Sequence, residues 1–293
     1  MQETFLKYLQ YEKRYSKHTI KSYENDLAQL RSFMKGEFEV DNLSEANHSI
    51  LRSWIISLVD DGIQPKSVNR KIASLRSFYK FLMKQGTIEK DPTSKIKVLK
   101  TSKKLPQFVN EKDMNLLLDQ CEFSNDFSGL RDKLVLELLY GTGIRLSELI
   151  SLKEIDVNFS SQTIKVLGKR NKERVIPFST SLGAQLKVYL TEKKKLFTSE
   201  LNSPIIVNNN GTRVYSMFVY RLVKKYLNLF TTIDKRSPHV LRHTFATHLL
   251  NKGAELNAVK DLLGHTSLAA TQVYTHNSLE KLKSVFDQAH PKA

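Results

Sequence analysis

The polar stretch from Lys90 to Pro106 constrains the fold of this 293-residue chain more than any other feature. It holds two prolines and many lysines, and its few apolar residues follow neither a helical nor a strand period. Such a stretch is typical of an exposed linker, because it cannot build an apolar face that packs against a core. We therefore predict a first domain over residues 1–90, a linker over residues 91–106 and a second domain over residues 107–293.

The first domain is predicted to be a bundle of helices. Its apolar residues recur at steps of three and four, the period of an amphipathic helix with one buried face. In the first predicted helix these residues are Ile20, Tyr23, Leu27 and Leu30. In a later helix, which begins near Pro65, they are Val68, Ile72, Leu75, Phe78, Tyr79 and Leu82.

Basic side chains gather on the opposite face of this later helix. They are Lys66, Arg70, Arg76, Lys80 and Lys84, and no Asp or Glu lies between the first and the last of them. Like charges on one helix repel each other, so a negatively charged partner explains the pattern better than the alternative of a merely solvated face. The whole chain has 46 Lys and Arg against 30 Asp and Glu, a formal charge of +16. We predict that Arg70, Arg76, Lys80 and Lys84 bind nucleic acid phosphates.

The second domain is predicted to be mostly helical with a small antiparallel β-sheet. TIKVL and RVIPF resemble two strands joined by the polar turn GKRNKE, which indicates a β-hairpin. One helix is predicted from the apolar stripe Leu130, Leu134, Val135, Leu138 and Leu139. This helix should end at Gly141. The predicted fold class is therefore mainly α, a helical bundle followed by a mostly helical domain with a small sheet.

Polar residues that local folding does not explain occur in four separate segments of the second domain. In chain order they are Arg145, Lys169, His239, Arg242, His265 and Tyr274. Each has an ordinary explanation when taken alone, such as a salt bridge from Arg145 to Glu148 or a solvated lysine in a turn. Arg242 is different, because it lies in an otherwise apolar helical segment, and a buried arginine is unfavourable unless something negative meets it.

The order of these residues and the motifs around them resemble the tyrosine site-specific recombinases of the phage-integrase class, most closely the Xer recombinases that resolve chromosome dimers. The matching motifs are GTGIRLSEL, GKRNKER, HVLRHTFATHL, LLGHTS and TQVYTH, and the resemblance extends over nearly the whole chain. It implies a DNA-binding first domain, a catalytic second domain that ends in a tail helix, and a catalytic set made of these six residues. Tyr274 would be the nucleophile. The hairpin departs from the family at Arg170, where glycine is common.

The resemblance implies a site-specific DNA recombinase that cuts and rejoins strands through a 3′-phosphotyrosyl intermediate, with no metal, ATP or other cofactor. The residue types suit this chemistry. The guanidinium groups of Arg145 and Arg242 stay charged and can each donate paired hydrogen bonds to a phosphate. Lys169 can protonate the leaving 5′-hydroxyl, while His239 and His265 can bind phosphate oxygens or move protons.

Four other interpretations fit part of the sequence. His239 and His243 have the spacing of a zinc-binding pair, but residues 235–254 contain no Asp, Glu or Cys. A non-catalytic DNA-binding regulator would explain the charge but not Tyr274 together with Lys169 and both arginines. A type IB topoisomerase shares the chemistry but relaxes DNA instead of exchanging strands. An integrase of a mobile element also shares the chemistry and is the closest alternative within the family. The short chain, without a clear arm-binding domain, favours the Xer interpretation.

The expected partner is a double-stranded DNA recombination site, with four protomers assembled on two sites. The sequence leaves open whether all four are copies of this chain or two are a related recombinase, and whether a DNA translocase takes part. The single cysteine, Cys121, and the polar N-terminus indicate a cytoplasmic protein with no membrane partner. An apolar period over residues 279–289 predicts the tail helix, which packs either on its own domain or on a neighbouring protomer.

Overall fold

The computed structural model describes residues 1–102, 107–168, 173–198, 200–264, 284, 286, 288 and 289. The chain divides into two compact units, Met1–Lys104 and Leu105–Ala293. Each unit has its own apolar core. Among the described residues, no helix is both long and apolar enough to span a membrane.

The first unit is a bundle of helices, as predicted. In chain order its α-helices are α1 Gln2–Lys7, α2 Lys17–Phe38, α3 His48–Asp60 and α4 Pro65–Lys84. A π-helical turn at Tyr8–Glu12 follows α1, and a 3-10 turn at Leu43–Glu45 precedes α3. The predicted apolar face of α4 is buried throughout, because it packs against α2 and α3 at the centre of the bundle.

A buried carboxylate ties α2 to α4. Asp26 on α2 is 1% exposed and accepts hydrogen bonds from both terminal nitrogens of Arg70, at 2.5 and 2.9 Å. Lys71 and Ser74 donate to the same carboxylate. The like charges on α4 are therefore relieved in part by an acid on another helix, which the sequence of α4 alone could not reveal.

Part of the predicted linker is packed against the first unit rather than exposed. The side chain of Asn69 donates to the backbone carbonyl of Leu99 and accepts from its N–H, both at 2.8 Å. Arg76 donates to the carbonyl of Ile96, whose side chain is buried. The described part of this stretch, residues 91–102, forms no helix or strand. The absence of a periodic pattern did not exclude these side-chain hydrogen bonds.

The second unit consists of helices around one small sheet. Its helices are α5 Glu111–Asn115, continued by a π-helical turn at Leu116–Gln120, α6 Phe127–Thr142, α7 Leu146–Ser151, α8 Thr180–Leu196, α9 Ser216–Phe230, α10 Pro238–Asn251 and α11 Leu256–Leu263. Its strands are β1 Val157–Asn158, β2 Thr163–Leu167 and β3 Glu173–Pro177, preceded by a 3-10 turn at Glu154–Asp156. The mainly α fold with a small antiparallel sheet is confirmed.

The predicted hairpin forms, and one strand is added to it. β2 and β3 pair antiparallel, with Ile164 opposite Ile176 and Val166 opposite Arg174. β1 pairs with the other edge of β2. Since β1 has only two residues, it shows no alternation that a sequence pattern could detect.

Helix α6 is the central helix of the second unit, and two details of its prediction were wrong. It is buried on almost all sides, because α8 and α10 both pack on it, so its apolar residues do not form one stripe, and Leu130 is exposed. The helix continues through Gly141 and ends at Thr142. Gly143 makes the turn instead, with φ +59°, in the left-handed region that favours glycine.

Two residues of the predicted tail, Phe286 and Ala289, are each 1% exposed and belong to the apolar core of the second unit. These two residues of the tail therefore pack on their own unit in this structure. The apolar period over residues 279–289 predicted these two positions as part of a buried face.

Candidate active site

The turn between α6 and α7 carries the first of the predicted site residues. Gly143 leaves α6, Ile144 is buried, and Arg145 is the N-cap of α7. A Cβ atom at Gly143 would lie 2.5 Å from a ring carbon of Phe245 on α10. The glycine therefore permits both the left-handed turn and the close approach of α10, which brings Arg145 near the residues of that helix.

Glu148 on α7 is shared by two arginines. It accepts hydrogen bonds from the backbone N–H of Arg145 at 2.8 Å and from the Arg145 guanidinium at 2.7 Å, so the salt bridge considered for this pair does form. Arg174 on β3 donates to both oxygens of the same carboxylate, at 2.6 and 2.8 Å. Burial raises the pKa of Glu148, but the bonds and charge of Arg174, with those of Arg145, outweigh it and lower the pKa to about 2.

Arg242 on α10 is only 8% exposed and lies beside this pair. Its guanidinium donates to the backbone carbonyl of Gly143 and, at 2.5 Å, to that of Leu263. Burial, followed by the positive charges of Arg145 and Arg174, lowers the pKa of Arg242 to about 10. The group still carries its charge at neutral pH, because that pKa is far above 7.

Three consecutive carbonyls at the end of α11 each accept a hydrogen bond from a different arginine. Arg174 donates to Leu262 at 3.0 Å, Arg242 to Leu263, and Arg145 to Gly264 at 2.8 Å. The last carbonyls of a helix lack partners within the helix and carry partial negative charge. The end of α11 therefore orients the three guanidinium groups without neutralising them.

The cluster has donors left for an anionic ligand. A guanidinium has five N–H groups. Within the described part of the chain, the guanidinium groups of Arg145 and Arg242 each donate two hydrogen bonds. The side chain of Arg145 is 20% exposed, so part of its guanidinium reaches solvent. Three arginines and one carboxylate leave a net positive charge, which suits a phosphate group.

Three of the six predicted catalytic residues belong to the described part of the chain, namely Arg145, His239 and Arg242. His239 lies one turn before Arg242 on α10 and is exposed to solvent. Lys169, His265 and Tyr274 lie outside the described residues. Gly264, the residue directly before His265, accepts the hydrogen bond from Arg145.

Sequence reasoning missed Arg174 and the double role of Glu148. A signal for Arg174 was present, because side chains alternate between the two faces of a strand. In β3, Arg174 and Ile176 lie on the same face, and both are buried. An arginine on the apolar face of a strand requires a buried partner, which the sequence does not identify.

The residues predicted to bind nucleic acid are exposed on α4, but they differ in their contacts. Lys80 and Lys84 project into solvent, and the ammonium group of Lys84 lies 5.9 Å from the centre of the Tyr8 ring. Arg70 and Arg76 also make the contacts with Asp26 and Ile96 described above. Among the described residues there is no group of three or more His, Cys, Asp or Glu that could hold a metal ion.

Comparison with protein families identifies both units. Residues 3–86 match the phage integrase N-terminal SAM-like domain, and residues 107–281 match the phage integrase family. Together the two matched regions cover most of the chain.

Several characterised relatives match over almost their entire length. The chain is 40% identical to tyrosine recombinase XerC of Staphylococcus carnosus over 296 residues, which covers 100% of this chain and 98% of the relative. It is 37% identical to tyrosine recombinase XerC of Chlorobaculum parvum over 316 residues, covering 99% of this chain and 94% of the relative.

Solved structures show the same fold. A post-cleavage complex of the XerH site-specific recombinase with a palindromic difH substrate matches with a TM-score of 0.70 and 25% identity, covering 90% of this chain and 78% of that one. The Tn1549 transposon integrase, bound to circular intermediate DNA, matches with a TM-score of 0.71 and 19% identity, covering 96% and 97% of the two chains. At that identity the second likeness concerns the fold alone.

Proposed function

This chain belongs to the phage integrase family, and on that premise we propose that it is a site-specific tyrosine recombinase of the Xer type that resolves chromosome dimers. It cuts and rejoins DNA strands through a 3′-phosphotyrosyl intermediate. The observation that carries this function is the arrangement of Arg145 and Arg242. Both guanidinium groups are held by backbone carbonyls at the end of α11 and keep free N–H groups for a phosphate.

The two arginines bind the phosphate at the cleavage point. Negative charge on the phosphate oxygens increases as the attacking group approaches, and preorganised donors stabilise that charge more than they stabilise the starting phosphodiester. Because Arg242 is buried, its charge acts in surroundings of low dielectric, where electrostatic interactions are stronger. The positive charge that metal ions supply in many nucleases comes here from side chains.

Tyr274 is the nucleophile in this proposal. Its phenolic oxygen forms a bond to phosphorus, and the bond from phosphorus to the 5′-oxygen of the next nucleotide breaks. The phenol has an ordinary pKa of about 10, so attack requires removal of its proton, with His239 or His265 as the acceptor. Lys169 gives a proton to the leaving 5′-oxygen. One ester replaces another, so a second 5′-hydroxyl can reverse the reaction without ATP.

The DNA partner is a double-stranded recombination site, with the basic face of α4 on its phosphates. We propose that four protomers assemble on two such sites, either as copies of this chain or with a related recombinase, and that a DNA translocase is a candidate directional partner. A chromosomal substrate places the protein in the cytoplasm. The XerC relatives, at 37–40% identity over nearly full length, support this chromosomal role over that of a mobile-element integrase.

The experiment that tests this function uses a nicked duplex carrying the host's candidate recombination site, which traps the covalent complex. The wild-type protein should give a protease-sensitive protein–DNA adduct. Tyr274→Phe, which removes only the phenolic oxygen, should bind the same duplex with unchanged affinity and form no adduct. Adduct at the wild-type level from Tyr274→Phe would contradict the assignment of the nucleophile. Adduct with the attachment site of a mobile element alone would favour the integrase alternative.

A further inference from the structure

We propose that Arg174 is a positioning residue for this reaction, which fixes Arg145 through Glu148 and holds the end of α11 against β3. The inference rests on the proposed function, because it concerns the geometry of the same site. It adds a residue that lies outside the predicted catalytic set. Arg174 acts through other groups and does not itself contact the DNA.

The contacts of Arg174 reach three separate elements. Its Nη1 and Nη2 atoms bind the two oxygens of Glu148 on α7, and its Nε atom donates to the carbonyl of Leu262 on α11. Arg174 itself lies on β3, five residues after Lys169 in the chain. One side chain thus connects the strand that follows the Lys169 turn with the helix that carries Arg145 and with the helix that leads to His265.

Arg174 is more fully engaged by protein acceptors than Arg145 or Arg242, which argues against a direct role at the phosphate. Arg174 is 4% exposed, and all three of its guanidinium nitrogens donate to protein atoms. Arg145 differs, since its side chain is 20% exposed and its hydrogen bonds come from two nitrogens. The fully engaged Arg174 therefore orients the site, and Arg145 is available to the substrate.

The charges explain why a third arginine is needed at this place. Glu148 is buried among three guanidinium groups, those of Arg145, Arg174 and Arg242. Arg174 makes a bidentate pair with it, the geometry that fixes the plane of both groups. With Arg174 as the principal neutralising partner, Glu148 holds Arg145 in one position while Arg145 keeps enough positive charge to act on a phosphate.

The backbone of Gly264 is matched to the side chain of Arg174. Gly264 has φ +62°, and a Cβ atom there would lie 2.9 Å from Cδ of Arg174. The methylene stem of the arginine therefore occupies the space that any other residue at position 264 would need. This close approach sets the place at which the chain leaves α11 toward His265.

Replacing Arg174 should change how the cleavage rate depends on pH. Its bonds and charge make the largest contribution to lowering the pKa of Glu148, so the pKa of Glu148 should rise when Arg174 is replaced. Protonated Glu148 no longer forms an ion pair with Arg145. The cleavage rate of such a variant should therefore begin to fall at a higher pH than that of the wild type as the solution is acidified.

The test measures the single-turnover rate of adduct formation on the nicked duplex, at saturating DNA and across a range of pH. Arg174→Gln should bind DNA with unchanged affinity but cleave more slowly, by on the order of 100-fold, because a misplaced catalytic group loses that much. The acid limb of its rate profile should move to higher pH. Arg174→Lys keeps the charge but cannot make the bidentate pair with Glu148. It should recover part of the cleavage rate, and its acid limb should move less than that of Arg174→Gln.

A matched control is available in the same unit. Arg131 is also buried, at 5% exposed, and pairs with Asp132 and Asn209 rather than with the site. Arg131→Gln should lower the melting temperature and leave the rate and its pH profile unchanged. All variants are assayed at a temperature where circular dichroism shows them folded. If Arg174→Gln does not fold, Arg174→Lys takes its place in the test.

The outcomes separate the two proposals. If the wild type forms no adduct that depends on Tyr274, the proposed function itself is wrong. If the wild type cleaves and the Arg174 variants cleave at the same rate with the same pH profile, Arg174 has a structural role only and the inference fails.

Discussion

Arg242 combines deep burial with a charge that the proposed reaction would use. Among the described residues no carboxylate forms a salt bridge with it, and its guanidinium instead meets the carbonyls of Gly143 and Leu263. Carbonyl dipoles satisfy the hydrogen bonds of a buried cation but do not cancel its charge. The charge of Arg242 is therefore held in a fixed place and remains available to a phosphate, which is the condition for electrostatic catalysis.

Replacing either of the arginines proposed to bind the phosphate should reduce the cleavage rate far more than DNA affinity. We expect Arg145→Ala and Arg242→Ala each to lower the rate of adduct formation several hundred-fold, since one preorganised donor contributes about 3–4 kcal/mol to the transition state. Single-turnover measurements on the nicked duplex test this, with DNA affinity measured separately and Arg131→Ala as the control. Chelation of divalent metals by EDTA should leave the wild-type rate unchanged. A strict requirement for an added divalent metal would contradict the proposed chemistry.

The residues of the site differ in how far the sequence reveals them. Arg145 and Arg242 could be singled out because each lies in a distinct motif, although Arg145 also has a local partner in Glu148. Arg174 could not, because strand alternation gives the face of a residue but not the partner that it meets across the fold. The same applies to Glu148, whose spacing predicted its bond with Arg145 but not its second arginine.

At the scale of the element, α4 separates two kinds of basic residue on one face. Arg70 is fixed by Asp26 from α2, and Arg76 by the carbonyl of Ile96. Lys80 and Lys84 lie on the exposed side with no acidic partner among the described residues. The two lysines therefore test binding to phosphates without breaking the contacts of α4 with Asp26 and Ile96.

Neutralising the two exposed lysines should weaken binding to all DNA sequences alike. We expect the double variant Lys80→Ala and Lys84→Ala to make the slope of log affinity against log salt less negative by about 1.8, since each phosphate contact contributes roughly −0.9. Its melting temperature should not change. The matched control is Arg31→Ala, because Arg31 is an exposed basic residue of the same unit that already pairs with Asp41. Unchanged affinity and salt slope in the lysine variant would show that this face is merely solvated.

The elements that the sequence predicted well are those with one buried face. All six apolar residues that the period of α4 predicted are buried, although Lys71, Ser74 and Phe81 are buried as well. Helix α6 was predicted less accurately, since it is buried on almost all sides and has no polar face to define its register. Its end at Thr142 is followed by a turn at Gly143, where Phe245 leaves no room for a Cβ atom, a contact between residues distant in the chain.

At the scale of the whole molecule, the second core includes residues from the C-terminal end of the chain. Phe286 is 1% exposed and packs with residues from the helices of the same unit. Replacing a buried phenylalanine by alanine removes apolar contacts and leaves a cavity. The tail therefore contributes to the stability of its own unit in this structure.

Phe286→Ala should lower the free energy of unfolding by about 3–5 kcal/mol, the usual effect of such a truncation in a core. The decrease should be the same at low and high protein concentration, as expected for packing within one chain. Thermal melting followed by circular dichroism tests this, with Gln288→Ala as the control, since Gln288 is exposed on the same segment. A variant that keeps the stability of the free protein but assembles poorly on DNA would instead place the tail on a neighbouring protomer.

The anchoring of Phe286 in the core has a consequence for the fate of a broken DNA strand. Tyr274 lies ten residues after Gly264, which is bound to Arg145, and twelve residues before Phe286. Ten residues can span at most about 35 Å. A DNA end joined to Tyr274 would therefore stay attached to a segment that is held at Gly264 on one side and at Phe286 on the other. Such a short tether keeps the effective concentration of the end at the site high. In the proposed reaction, the 3′ end of a cut strand would therefore stay close to the site, within reach of a 5′-hydroxyl that rejoins it.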